Sequence, residues 1–178
     1  MTFSETCNKI FNEATEHYHE FDNVDATPRN PYQEGTIEDL LFRKNWIDAV
    51  QWHLEDIIRD PEIDPEKALK IKRRIDKSNQ NRTDLVESID DYFLEKYKNV
   101  EVLPDATINT ESPAWAIDRL SILALKIYHM EQEVAREDAP VEHLDKCKRK
   151  LRVLLQQRDD LSSAIDQLIV DIESGRKY

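Results

Sequence analysis

The chain has 178 residues, 35% of them charged and 39% apolar, with a formal net charge of −12. That length suits one domain with a real core, and a total of two glycines excludes both a turn-rich sheet protein and a glycine-rich phosphate loop. The acidic balance argues against nucleic acid or an anionic membrane as partner, because phosphate binding needs a cationic surface, and no apolar run reaches membrane-spanning length.

Thr2 and Glu5 have the spacing of a capping box. Phe3, Cys7, Ile10, Phe11, Ala14, Tyr18 and Phe21 then recur at helical spacing, which predicts a helix over residues 3–21. The opening "MTFSETCNKIF" lacks a basic region followed by an apolar stretch, so a signal peptide is not expected and a cytoplasmic location is. Cys7 and Cys147 belong to no ligand motif and are expected to be reduced core thiols. Asp22–Gly35 carries two prolines and a glycine and reads as a loop.

Thr36 caps a second helix with the stripe Leu40, Ile47, Val50, Leu54 and Ile57, ending near Asp60-Pro61. Asp64-Pro65 opens a third, proline being favoured at the first helical position. Its stripe of Ile71, Ile75, Leu85, Ile89 and Phe93 runs to about Lys98. The connection "NVEVLPDATINTE" has strand character in "VEVL" but no obvious partner for it. Ser112-Pro113 opens a fourth helix and Pro140 a fifth, with Gly175 as its stop.

The stretches "NQNRTDLVESID" (79–90) and "LQQRDDLSSAID" (155–166) lie 76 residues apart. At that offset, 13 of the 55 positions of 43–97 are identical in 119–173, among them Arg43/Arg119, His53/His129, Gln80/Gln156 and Arg82/Arg158. Shared apolar positions would be ordinary for two amphipathic helices; shared Arg, His and Gln are not. The expected architecture is all-α: a four-helix bundle made of two tandem helical hairpins, residues 36–98 and 112–174, with approximate twofold symmetry. An N-terminal helix and loop (1–35) pack outside it, all within one domain.

Polar residues interrupt the core lines at Arg82 and Arg158. Counting back from the hairpin turns places Arg43, Asn45, Asp48, Asn79, Arg82, Asp118, Arg119 and Arg158 near one level of the bundle. Such a layer either fixes helix register through salt bridges or forks paired guanidiniums onto a phosphate or carboxylate ligand. The discriminating feature is whether Asp48 and Asp118 close it. Trp52 and its counterpart Tyr128 sit on otherwise polar stripes and need a cover. One N-terminal helix suffices for one of them, so the other is expected at a protein–protein interface, with a homodimer as the expected assembly.

No metal or cofactor is expected. His53-x-Glu55 and His129-x-Glu131 point their side chains about 200° apart on a helix. Glu16-x-x-His19 has di-iron spacing but no second pair. The carboxylates Glu13/Glu16 and Glu87/Asp90 lie too far apart in sequence for the helical pyrophosphohydrolase pattern. No catalytic residue is assigned.

The segments "GTIEDLLFRKNWIDAVQWHLEDIIRDP", "IKRRIDKSNQNRTDLVESID" and "INTESPAWAIDRLSILALKIYHMEQEV" resemble the bacterial domain-of-unknown-function 4254 family. The resemblance implies a helical cytoplasmic bacterial protein, of a family associated with genes for glycosyltransferases of envelope sugar assembly, and supplies no catalytic residues. The function expected is therefore a non-catalytic helical interaction protein, accessory to a protein partner in sugar transfer. The alternative is a small-anion-binding protein or an enzyme built on the arginine layer.

Overall fold

A computed structural model describes all 178 residues. The chain is all-helical: α1 (Phe3–Phe21), α2 (Ile37–Ile58), α3 (Pro65–Tyr97), α4 (Pro113–Val134) and α5 (Val141–Glu173). No helix is long and apolar enough to cross a membrane.

The helices begin where the sequence supplies a partner for the free amides of the first turn. Thr2 accepts from the Glu5 amide while Glu5 accepts from the Thr2 amide. Thr36, Asp64 and Ser112 accept from the amides of Asp39, Lys67 and Trp115. α5 has no side-chain cap; Pro140 precedes it, contributing a fixed φ instead. Past its end Gly175 turns with φ +71°, and a Cβ there would lie 2.2 Å from the Glu101 carbonyl oxygen. Only glycine allows the C-terminal tail this close to the 99–111 connection. The tail is what "VEVL" was missing, although no strand forms. The Leu103 amide donates to the Gly175 carbonyl (2.9 Å), the Thr107 amide donates to that of Arg176 (3.0 Å), and Thr107 forms a single parallel bridge to Lys177.

α2 and α4 are each 22 residues long and α3 and α5 each 33, and every boundary of the second hairpin falls 76 residues after its counterpart. α3 returns along α2, and α5 along α4. α2 and α4 run side by side in the same direction: Asn45 meets Ser121 at one level, and His53 meets His129 eight residues further along both helices.

The two hairpins are not packed alike. α3 lies against both α2 and α4, whereas the main neighbours of α5 are α4 and α1. The N-terminal helix is thus not an outer cover. It fills the seam between α2, α4 and α5, and its Cys7, Ile10, Phe11, Ala14 and Tyr18 are at most 1% exposed, in the main core with Leu41, Phe42, Ile117 and Leu120. The reason is visible in its sequence: α1 devotes a full apolar face to the interior, and Ser4 and Asn8 tie its first turns to Asp166 and Ser162 of α5. A smaller cluster of Leu54, Ile71 and Ile75 packs the turn end of the α2–α3 hairpin.

Candidate functional site

Part of the expected polar layer does assemble, around a residue that the sequence reading left out. Lys44 is 0% exposed, and its ammonium bonds to Asp48 and, at 2.9 Å, to Asp118. Arg82 reaches across from α3 and donates to both oxygens of Asp118 at 3.2 and 3.3 Å. Ser121 donates to Asp48 (2.6 Å), Asn45 donates to Ser121 (3.1 Å), and Thr15 of α1 donates to Asn45 (2.8 Å). Two cations thus face two carboxylates, with Ser121, Asn45 and Thr15 extending the network, while the buried Arg82 Nε has no partner. Burial pushes the Asp48 carboxyl up from its ordinary range, against the opposing pull of Lys44 and Ser121.

The other expected members lie elsewhere. Asn79 accepts from Gln51 (2.8 Å), beside the network. Arg43 turns to Asp39 at 3.6 Å, and Arg119 to Glu111 at 2.9 Å. Arg158 pairs with its neighbour Asp159 at the surface. The asymmetry follows from the sequence: the counterparts of Lys44, Asp48 and Asp118 at the 76-residue offset are Leu120, Ala124 and Phe42. Arg158 has no acid at the position that matches Asp118, where Phe42 stands. Lys44 was legible in principle, because it falls on the α2 core line between Leu40 and Ile47 and its counterpart Leu120 is buried.

Toward the C-terminal ends of α1, α2 and α4, one level beyond the network, three histidines converge. A ring nitrogen of each of His19, His53 and His129 lies within 4.8 Å of the other two, and His19 Nε2 is 3.2 Å from His53 Nε2. Each imidazole rests on an aromatic ring: His19 on Tyr128 (4.2 Å between centroids), His53 on Tyr18 (5.0 Å) and His129 on Trp52 (4.8 Å). Trp52 and Tyr128 are therefore both covered on one face, and both are half-buried. Spacing along single helices cannot show a cluster that takes one histidine from each of three; the matched positions of His53 and His129 are the signal the sequence carries.

Burial, and then the neighbouring His19, hold His53 below the usual imidazole range and His129 down at about 4, despite the opposing fields of Asp22 and Asp56. Well above pH 6.5 these rings are neutral in both folded and unfolded chains. Between that value and about 4 the unfolded chain takes up a proton that the folded one refuses, so stability falls as pH falls. Acidification from pH 7 to 5 is expected to cost about 1–2 kcal/mol through His129. Urea unfolding at the two pH values checks this, and His129→Gln should flatten the slope.

A groove of about 520 Å³ opens between α4 and α5, with Trp52 of α2 and His129 in its lining. Met130, Leu154 and Trp52 supply apolar surface, and Lys126, Arg149 and Lys150 the charge. Glu133, the one acid in the lining, is engaged by Arg136 and His143, which leaves the three cations without a carboxylate.

A comparison with protein families matches residues 38–178 to the model described as "Protein of unknown function (DUF4254)", a span that takes in α2–α5 and leaves α1 ahead of it. Neither the curated proteins nor the solved structures give a match. With four of its five helices inside the matched span, the chain belongs to the DUF4254 family of proteins of unknown function.

Proposed function

We propose that this is a non-catalytic helical interaction protein that associates through the α4–α5 groove with an acidic protein surface, in the first place that of a second copy of itself. The observation that carries the reading is the trio Lys126, Arg149 and Lys150, unpaired over an apolar floor on a chain of net charge −12. A cationic groove on an otherwise acidic molecule is complementary to the average surface of its own copies, and a twofold contact uses each such pairing twice. Trp52 at the groove wall is the kind of large, half-buried aromatic that anchors interfaces. The 76-residue repeat belongs to the same proposal as the origin of the two-hairpin scaffold, supported by the matched helix boundaries. The accessory role in sugar transfer is supported by the family resemblance alone.

The arginine-layer alternative finds less support. The layer's two cations are already matched by Asp48 and Asp118, so an incoming anion meets no free charge. In this reading the network fixes the register of α2, α3 and α4.

Sedimentation velocity at micromolar concentration tests the association. The wild type should form a dimer that weakens as salt rises. The triple variant Lys126→Glu/Arg149→Glu/Lys150→Glu and Trp52→Ala should each weaken it by at least about tenfold, the loss of about 1.4 kcal/mol. A wild-type monomer, or a dimer indifferent to these substitutions and to salt, would remove the groove as the contact surface.

A further inference from the structure

We propose that His19, His53 and His129 bind a divalent transition cation of the zinc class through three imidazole nitrogens, leaving the fourth position to water. This goes beyond the interaction reading and does not depend on it.

The geometry is close to what such an ion needs. Zinc–nitrogen bonds of about 2.0–2.1 Å in a tetrahedral arrangement put ligand nitrogens about 3.3 Å apart. His19 Nε2 and His53 Nε2 are already 3.2 Å apart, in a hydrogen bond that His53 donates to the His19 lone pair; a metal ion replaces that bond once the His53 proton moves to its other ring nitrogen. The third nitrogen, within 4.8 Å of both, needs to approach by at most about 1.5 Å to complete the face. Rotation of a half-buried ring about its side-chain bonds supplies that distance.

The surroundings select a cation. His19 Nδ1 lies 2.7 Å from the Thr15 carbonyl oxygen, and a carbonyl can only accept, so that nitrogen carries the proton and the Nε2 lone pair faces the cluster. This is the outer-shell contact that fixes tautomer and orientation in histidine metal sites. His129 Nε2 is buried with no hydrogen-bond partner, an orphan polar atom that a metal bond would satisfy. Stacking on Tyr128, Tyr18 and Trp52 keeps the three rings together and leaves the closing ring a short rotation to make.

The charge pattern points the same way. α1 ends two residues beyond His19, and its C-terminal carbonyls add negative potential there. Asp22 caps that end with φ 45°, a left-handed conformation uncommon for a residue with a Cβ. A carboxylate at a helix C-terminus is unfavourable on its own; a bound cation nearby reverses that. Three imidazole nitrogens and an open position suit zinc, cobalt or nickel better than the oxygen-seeking calcium or magnesium.

One other group competes for such an ion: Glu133, His143 and Cys147, where His143 Nε2 is 2.9 Å from the carboxylate and 3.4 Å from the thiol. A site there would contain sulfur, and the test uses that difference. Chelator-stripped full-length protein is titrated with cobalt(II) and zinc(II), followed by visible absorption, calorimetry and melting temperature. One equivalent should bind with tetrahedral cobalt bands and no sulfur-to-cobalt charge transfer, and zinc should raise the melting temperature. His53→Gln and His129→Gln should weaken binding at least about a hundredfold, while His143→Gln and Cys147→Ser leave it unchanged. In case a histidine variant fails to fold, the wild-type imidazole resonances give the same answer. Zinc should move those of His19, His53 and His129 and spare that of His143. No binding at micromolar metal, a cobalt–thiolate band, or loss of binding in His143→Gln would overturn the proposal.

Discussion

Replacing Lys44 with leucine is expected to destabilise the protein by about 3–5 kcal/mol, the usual cost of removing one partner from a buried ion pair. Lys44 is fully buried, and Asp48 and Asp118 are 6% and 5% exposed. Without the ammonium, Asp118 keeps Arg82, but Asp48 keeps only the Ser121 hydroxyl as a donor. An isolated carboxylate in that position must either stay charged at high desolvation cost or take up a proton. Leucine itself is not the difficulty, since Leu120 occupies the matching position of the second hairpin and Ala124 the match of Asp48. The double variant Lys44→Leu/Asp48→Ala gives α2 the residues α4 already uses. It should recover most of the loss, because Arg82 and Asp118 remain a balanced pair. Urea unfolding of both single variants and the double variant yields the coupling energy. A mild Lys44→Leu phenotype, or no recovery in the double variant, would show that charge closure does not hold this layer together.

What could be read from the sequence and what could not divide along physical lines. Helix limits were legible because caps and prolines act locally: Thr2, Thr36, Asp64-Pro65 and Ser112-Pro113 open helices in the structure where their chemistry says they should. Asp48, Arg82 and Asp118 were legible as a layer because antiparallel hairpins fix levels by counting from a turn. Arg158, Arg43 and Arg119 escaped that count, since level says nothing about azimuth or about which acids stand opposite. The histidine cluster lay further out of reach. It requires α1 to enter the seam beside α2 and α4, and no local pattern encodes which neighbour a helix chooses. The same placement brings His129 onto one face of Trp52 and His19 onto one face of Tyr128.

The position of α1 makes its own demand on stability. Phe11→Ala is expected to cost about 3–5 kcal/mol, the range for truncating a buried phenylalanine, whereas Phe21→Ala should cost less than about 1 kcal/mol. Both residues lie on the same helix, but Phe11 is 0% exposed within the main core and Phe21 is 42% exposed, with His17 edge-on at 5.3 Å. If α1 lay on the outside of a self-sufficient bundle, both losses would be modest and the helix could detach before the rest unfolds. Embedded between α2, α4 and α5, it should unfold together with them. Tyr18 packs against Trp46 of α2 at 5.3 Å, so indole fluorescence reports the α1 contact while circular dichroism reports total helix. In urea the two signals should give one coincident transition for the wild type and for Phe11→Ala, shifted to lower urea in the variant with an unchanged slope. A fluorescence transition that precedes the loss of helix would mean that α2–α5 stand without α1, and that His19 reaches His53 and His129 only through a helix free to leave.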